Sequence, residues 1–199
     1  MVKLYEDGIY LRGGSEVVPA AEAAERGITQ APEDAKRGTI AYSILQAHNT
    51  SGNPEALKAM TDALAEHFAG MGITRVVGPE ARGFMVGAPV AVALGAGFVP
   101  ARKPGKLPRE TVSQSYELEY GTDSIEIHAD AISSKDTVLI LDDLVATGGT
   151  VEATGKLVRD MGAKLVGYGC ILELAFLNPR KKLTPSNEDV ELFSLVTVD

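Results

Sequence analysis

Two adjacent acids, Asp142 and Asp143, close an apolar run, and a glycine turn follows within a few residues; the whole string, VLILDDLVATGGT, spans 138–150. Glycines let backbone N–H groups approach an anion closely, and Thr147 and Thr150 add hydroxyl donors. A helix that starts there also presents its partly positive end. Ala146, Thr147, Gly148, Gly149 and Thr150 are therefore candidates to hold a sugar phosphate. The two carboxylates are placed to accept hydrogen bonds from neighbouring sugar hydroxyls. An apolar strand ending in acid also occurs in P-loop nucleotide hydrolases, but there it needs a GxxxxGK[ST] partner. The chain offers only Gly105-Lys106 and Gly155-Lys156, each followed by leucine.

Positive charge is the second signal. The 199-residue chain carries a formal net charge of -8, which argues against a general nucleic-acid binder and means that any phosphate site is local. Arg82 sits in the turn-like GPEARG, where a guanidinium can meet a pyrophosphate with two parallel bonds. Arg102, Lys103 and Lys106 form the densest cationic cluster, suited to a polyanion. Cys170 is the only cysteine and lies in the apolar GYGCILEL, so a buried structural thiol is expected and a cysteine-ligated metal is excluded. His48, His67 and His128 show no ligand spacing, and no protein-bound metal is expected.

The elements that must position these groups follow from periodicity. Leu57, Met60, Leu64 and Phe68 predict a helix starting at Pro54 and stopped by Gly70 and Gly72. Strands are expected at 73–78, 97–102, 124–128, 137–143 and 164–172, with helices over 84–94 and 150–162. The polar stretch 103–115, with two prolines and a glycine, reads as a mobile loop, and 103–120 as a lid. Strands alternating with helices predict an open α/β sheet with its ligand at the carboxyl ends of the strands. With 45% hydrophobic residues the chain is expected to build one domain. No secretory or membrane-spanning pattern is present, so the cytoplasm and no membrane partner are expected.

The string at 138–150 resembles the ribose-phosphate motif of type I phosphoribosyltransferases. GPEARGF (78–84), ARKPGKLP (101–108) and SYELEYGTD (115–123) are similar to the corresponding stretches of the adenine-using members, from about Pro54 to Leu183. The resemblance implies the type I phosphoribosyltransferase fold, a mostly parallel sheet with an N-terminal hood segment. It also implies a homodimer that transfers phosphoribose from 5-phosphoribosyl 1-diphosphate (PRPP) to adenine, with Mg²⁺ arriving on PRPP. By this match Asp142 and Asp143 hold the ribose 2- and 3-hydroxyls, and 146–150 hold the 5-phosphate. Arg82, Arg102, Lys103 and Lys106 face pyrophosphate, Glu119 handles a proton on the purine with Tyr120 accompanying it, and Leu174 packs on the base.

The family pattern fails in one place. A PG-apolar-apolar-F-R-D-I segment normally precedes the first long helix, whereas this chain has Arg37-Gly38-Thr39-Ile40-Ala41-Tyr42-Ser43-Ile44. Residues 1–53 form a divergent hood ahead of a core at 54–199, and AYSILQAHNTSGN resembles the opening of an aconitase-type hydratase. Another purine base, or a PRPP-binding regulator without turnover, are the alternatives. A hydratase fragment is disfavoured by the single cysteine, which cannot hold an iron–sulfur cluster.

Overall fold

A five-stranded parallel sheet organises the computed structural model, which describes residues 54–117, 122–184 and 190–198. In chain order the elements are α1 (Pro54–Phe68), β1 (Arg75–Pro79), α2 (Gly83–Leu94), β2 (Gly97–Ala101), β3 (Thr111–Glu117) and β4 (Thr122–His128). They continue with β5 (Thr137–Val145), α3 (Gly149–Asp160), β6 (Lys164–Leu174), α4 (Arg180–Leu183) and β7 (Glu191–Val198). The sheet order is β2-β1-β5-β6-β7, so β5 has a partner on each side and its apolar run is buried on both faces.

Side-chain alternation along β5 divides the core in two. Leu139 and Leu141 join Met60, Leu64 and Phe68 of α1 and Val86 and Val90 of α2 on one face. Val138 and Ile140 join Val151, Leu157 and Val158 of α3 on the other, together with Ile125 and Ile127 of β4. The i, i+4 spacing of Met60, Leu64 and Phe68 buries all three, and burial of Phe68 alone contributes roughly 1.5–3 kcal/mol. Phe68 needs the glycines of β6: a Cβ on Gly169 would lie 3.0 Å from its ring and 2.6 Å from Leu141. Cys170 is buried as expected, and burial pushes its thiol well above the ordinary range.

Three expectations need correction. The stretch 103–115 is not one loop, because Thr111–Ser115 belong to β3, paired antiparallel with β4 from Thr111↔His128 to Glu117↔Thr122. Its polar composition hid a strand whose Val112 and Tyr116 pack on the α3-side core. β5 runs two residues beyond Asp143 to Val145, so the two acids lie within the strand rather than at its end. Finally, Glu191–Val198 adds the edge strand β7, which the sequence reading did not assign. No helix among the described residues is long and apolar enough to cross a membrane.

Candidate active site

The carboxyl ends of β1 and β5 open onto one cleft, where the turn before α2, the turn before α3 and the β3–β4 hairpin meet. Asp142 and Asp143 lie on its floor, and Ala146 to Thr150 form one wall as β5 passes into α3. Gly148 caps α3 with φ +80°, a left-handed conformation that side chains other than glycine rarely adopt. The first N–H groups of α3 thus face the cleft without intrahelical partners, which is the arrangement an anion completes. Arg82, Lys103 and Tyr116 line the opposite side.

The floor is electrostatically unusual. Burial, reinforced by the neighbouring charge of Asp143, raises the Asp142 carboxyl well above the usual aspartate range. Its Oδ1 accepts the backbone N–H of Asp143 at 2.8 Å. Asp143 is buried, and Arg82 Nε lies 3.0 Å from its Oδ2. That approach is an ion-pair distance without hydrogen-bond alignment, so the buried Oδ2 receives no hydrogen bond.

The cations opposite are held by carboxylates. Glu80 accepts Arg102 Nε at 3.0 Å, the backbone N–H of Lys103 at 3.1 Å, and the Lys106 ammonium. Burial opposes its ionisation, but bonds from Lys106, Lys103 and Arg102 outweigh that and hold its carboxyl below the ordinary glutamate range. Lys103 Nζ reaches Asp123 and donates to the Tyr116 hydroxyl at 3.1 Å. That bond from Lys103 is the main reason the Asp123 carboxyl lies below its ordinary value. Thr150 Oγ1 lies 3.4 Å from the same Tyr116 hydroxyl, which therefore joins the α3 wall to the cationic side.

The cleft gathers most of the residues that the sequence singled out. Asp142, Asp143, 146–150, Arg82 and Lys103 line it, while Arg102 and Lys106 stand behind through Glu80. Leu174 does not line it: this side chain is 7% exposed and packs in the α1–α2 core, as apolar residues at strand ends usually do. Glu119 and Tyr120 lie outside the described residues, as does the whole hood at 1–53. Sequence reasoning missed Glu80 and Tyr116. Both stood in quoted strings, GPEARGF and SYELEYGTD, but their partners are distant in sequence.

Fold and cleft together define a protein built to hold a phosphorylated sugar at the carboxyl edge of a parallel sheet. The family model of the phosphoribosyl transferase domain matches residues 48–199. The adenine phosphoribosyltransferase of Yersinia pseudotuberculosis is 56% identical over 147 residues, 74% of this chain and 78% of that protein. The crystal structure of adenine phosphoribosyltransferase from Rhodothermus marinus superposes with a TM-score of 0.68 at 50% identity, covering 73% of this chain and 82% of that one. The Saccharomyces cerevisiae enzyme, complexed with an imino-altritol bisphosphate and adenine, gives 0.66 at 43% identity, covering 72% and 81%. The chain belongs to the phosphoribosyltransferase family, and within it to the adenine phosphoribosyltransferases.

Proposed function

We infer that the protein transfers the phosphoribosyl group of PRPP to adenine, yielding AMP and pyrophosphate. The observation that carries this is the meeting, in one cleft, of an anion-ready helix start, two adjacent aspartates and the cations Arg82 and Lys103. In the reaction the C1–oxygen bond to pyrophosphate breaks, the bond from a ring nitrogen of adenine to C1 forms, and that nitrogen loses a proton.

The residues divide the work. Asp142 and Asp143 hold the ribose hydroxyls, and the 146–150 turn holds the 5-phosphate, so C1 is fixed between the two ends of the cleft. Arg82 and Lys103, with Arg102 and Lys106 behind them, receive the charge that grows on the departing pyrophosphate. Glu119 accepts the adenine proton, with Tyr120 as its companion in that role. Exclusion of water from the closed site protects an oxocarbenium-like transition state.

Mg²⁺ fits this site as a companion of the substrate. Among the described residues no three acids, histidines or cysteines form a ready cage, whereas Mg²⁺ typically binds one or two carboxylates, substrate phosphates and water. Asp142 and Asp143, which line the cleft, are the carboxylates that would hold such a hydrated ion. When bound, it neutralises charge on the pyrophosphate.

We also infer a homodimer. α2 is apolar along its whole length, yet Met85 and Val92 remain 39% and 81% exposed, a surface that a second copy covers. Light scattering on the eluting protein should return twice the chain mass.

The deciding assay supplies PRPP and Mg²⁺ with adenine, hypoxanthine, guanine or xanthine and follows pyrophosphate release. Adenine is expected to give the signal. A signal with another base and none with adenine overturns the substrate assignment. PRPP binding by calorimetry without turnover on any base makes the protein a PRPP-binding regulator.

A further inference from the structure

Behind the 146–150 wall lies an ion pair that does not line the cleft. Glu173, near the end of β6, is fully buried, and both its oxygens accept from the Arg180 guanidinium, at 2.8 and 2.7 Å. Ser194 of β7 donates to the same carboxylate at 2.8 Å, and Arg180 donates to the backbone carbonyl of Leu192 at 3.0 Å. The four contacts fasten α4 to the ends of β6 and β7.

That anchorage bears on the cleft from two directions. Val145, where β5 leaves the sheet toward the phosphate turn, pairs in register with Glu173 itself. Leu183, fully buried at the end of α4, and Pro179, just before it, pack beneath Gly148. A Cβ on Gly148 would lie 3.2 Å from Leu183 Cγ and 3.5 Å from Pro179 Cβ. The strand exit and the floor under the left-handed glycine are therefore tied to one buried carboxylate.

We propose that Glu173 and Arg180 are positioning residues for the 5-phosphate: their pair sets the height and tilt of the 146–150 turn through Val145, Pro179 and Leu183. Plain fold stability does not call for a charged pair here, because Arg180 is half-exposed and apolar replacement of a pair that buries its carboxylate is often neutral or favourable. What the pair supplies is direction. A guanidinium fork on a buried carboxylate fixes both distance and orientation, which an apolar contact does not.

The inference rests on the assignment of the turn to the 5-phosphate, and the test separates the two. Ribose 5-phosphate and pyrophosphate are titrated separately into the folded protein by calorimetry. Arg180→Lys keeps the charge but loses the fork, and should weaken ribose 5-phosphate about tenfold while leaving pyrophosphate within about twofold. Glu173→Gln, which keeps an acceptor for the guanidinium, should fall between Arg180→Lys and the unchanged protein. If Arg180→Lys does not fold, Leu183→Val trims the same floor by one methylene and should show the same selective loss. Equal losses for both ligands, or none, overturn the proposal. If the unchanged protein binds pyrophosphate but no ribose 5-phosphate, the assignment of the turn itself fails.

Discussion

The two ends of the cleft hold negative charge by different means. At the α3 end the donors are backbone N–H groups and short hydroxyls, set by a left-handed glycine over a buried floor. At the opposite end they are long side chains, and Glu80 and Asp123 already occupy several of them. The first end is set by folding, and on the proposed function it receives the 5-phosphate. The second is a neutralised cluster in which an incoming pyrophosphate must take cations from carboxylates. An anchor and an exchangeable grip suit a reaction in which one phosphate stays and the other leaves.

The largest effect should come from the floor between the two ends. Asp143→Ala is expected to lower kcat/KM for PRPP roughly 10- to 100-fold, since hydrogen bonds to charged groups are worth about 1.5–3 kcal/mol. Steady-state pyrophosphate release measures it, and an unchanged value would remove the ribose assignment.

Next comes the anchor itself. Gly148→Ala adds a Cβ at φ +80° and 3.2 Å from Leu183. A strained backbone of that kind costs roughly 1–3 kcal/mol, so ribose 5-phosphate affinity should fall about tenfold. Pyrophosphate affinity should hold; a matching loss there would mean that the ends are not independent.

Glu80→Gln tests the grip with the opposite sign. Gln accepts a hydrogen bond but leaves Arg102 and Lys106 less neutralised, so pyrophosphate should bind more tightly. Roughly threefold is expected, because partly exposed pairs of this kind are worth under about 1 kcal/mol. Ribose 5-phosphate serves as the unchanged control, and weaker pyrophosphate binding would show that Glu80 instead builds the grip.

The smallest effect is in acid. Both Glu80 and Asp123 ionise more easily in the folded protein than their ordinary values of 4.5 and 3.8. A lowered folded value means stability that is present above the ordinary value and lost as pH falls through the folded one. The thermal midpoint should therefore hold steady from neutral pH to about 5 and drop below about 4.5. In Glu80→Gln that drop should be shallower.

The anchor was the legible half. Its donors are consecutive residues, so Val138 to Thr150 shows the strand, the turn and the helix start together, and β5 and α3 appear within a residue or two of where periodicity places them. The grip depends on pairs far apart in the chain, such as Arg102 with Glu80, and a list of cations does not reveal which carboxylates hold them. The hairpin was hidden for a related reason: TVSQSYE is polar, and only its pairing with the alternating β4 makes it a strand. β7 and the Glu173–Arg180 pair were missed because a glutamate in an apolar strand gives no local sign of the arginine that neutralises it. Leu174 is a family position on a side chain that the core also claims.

Every described residue that lines the cleft comes from between Glu80 and Val151. The residues that line the cleft thus fall within one stretch of the chain, 80–151. A crossover upstream of it can exchange the hood, where RGTIAYSI replaces the usual family pattern, without separating any of these side chains from its neighbours.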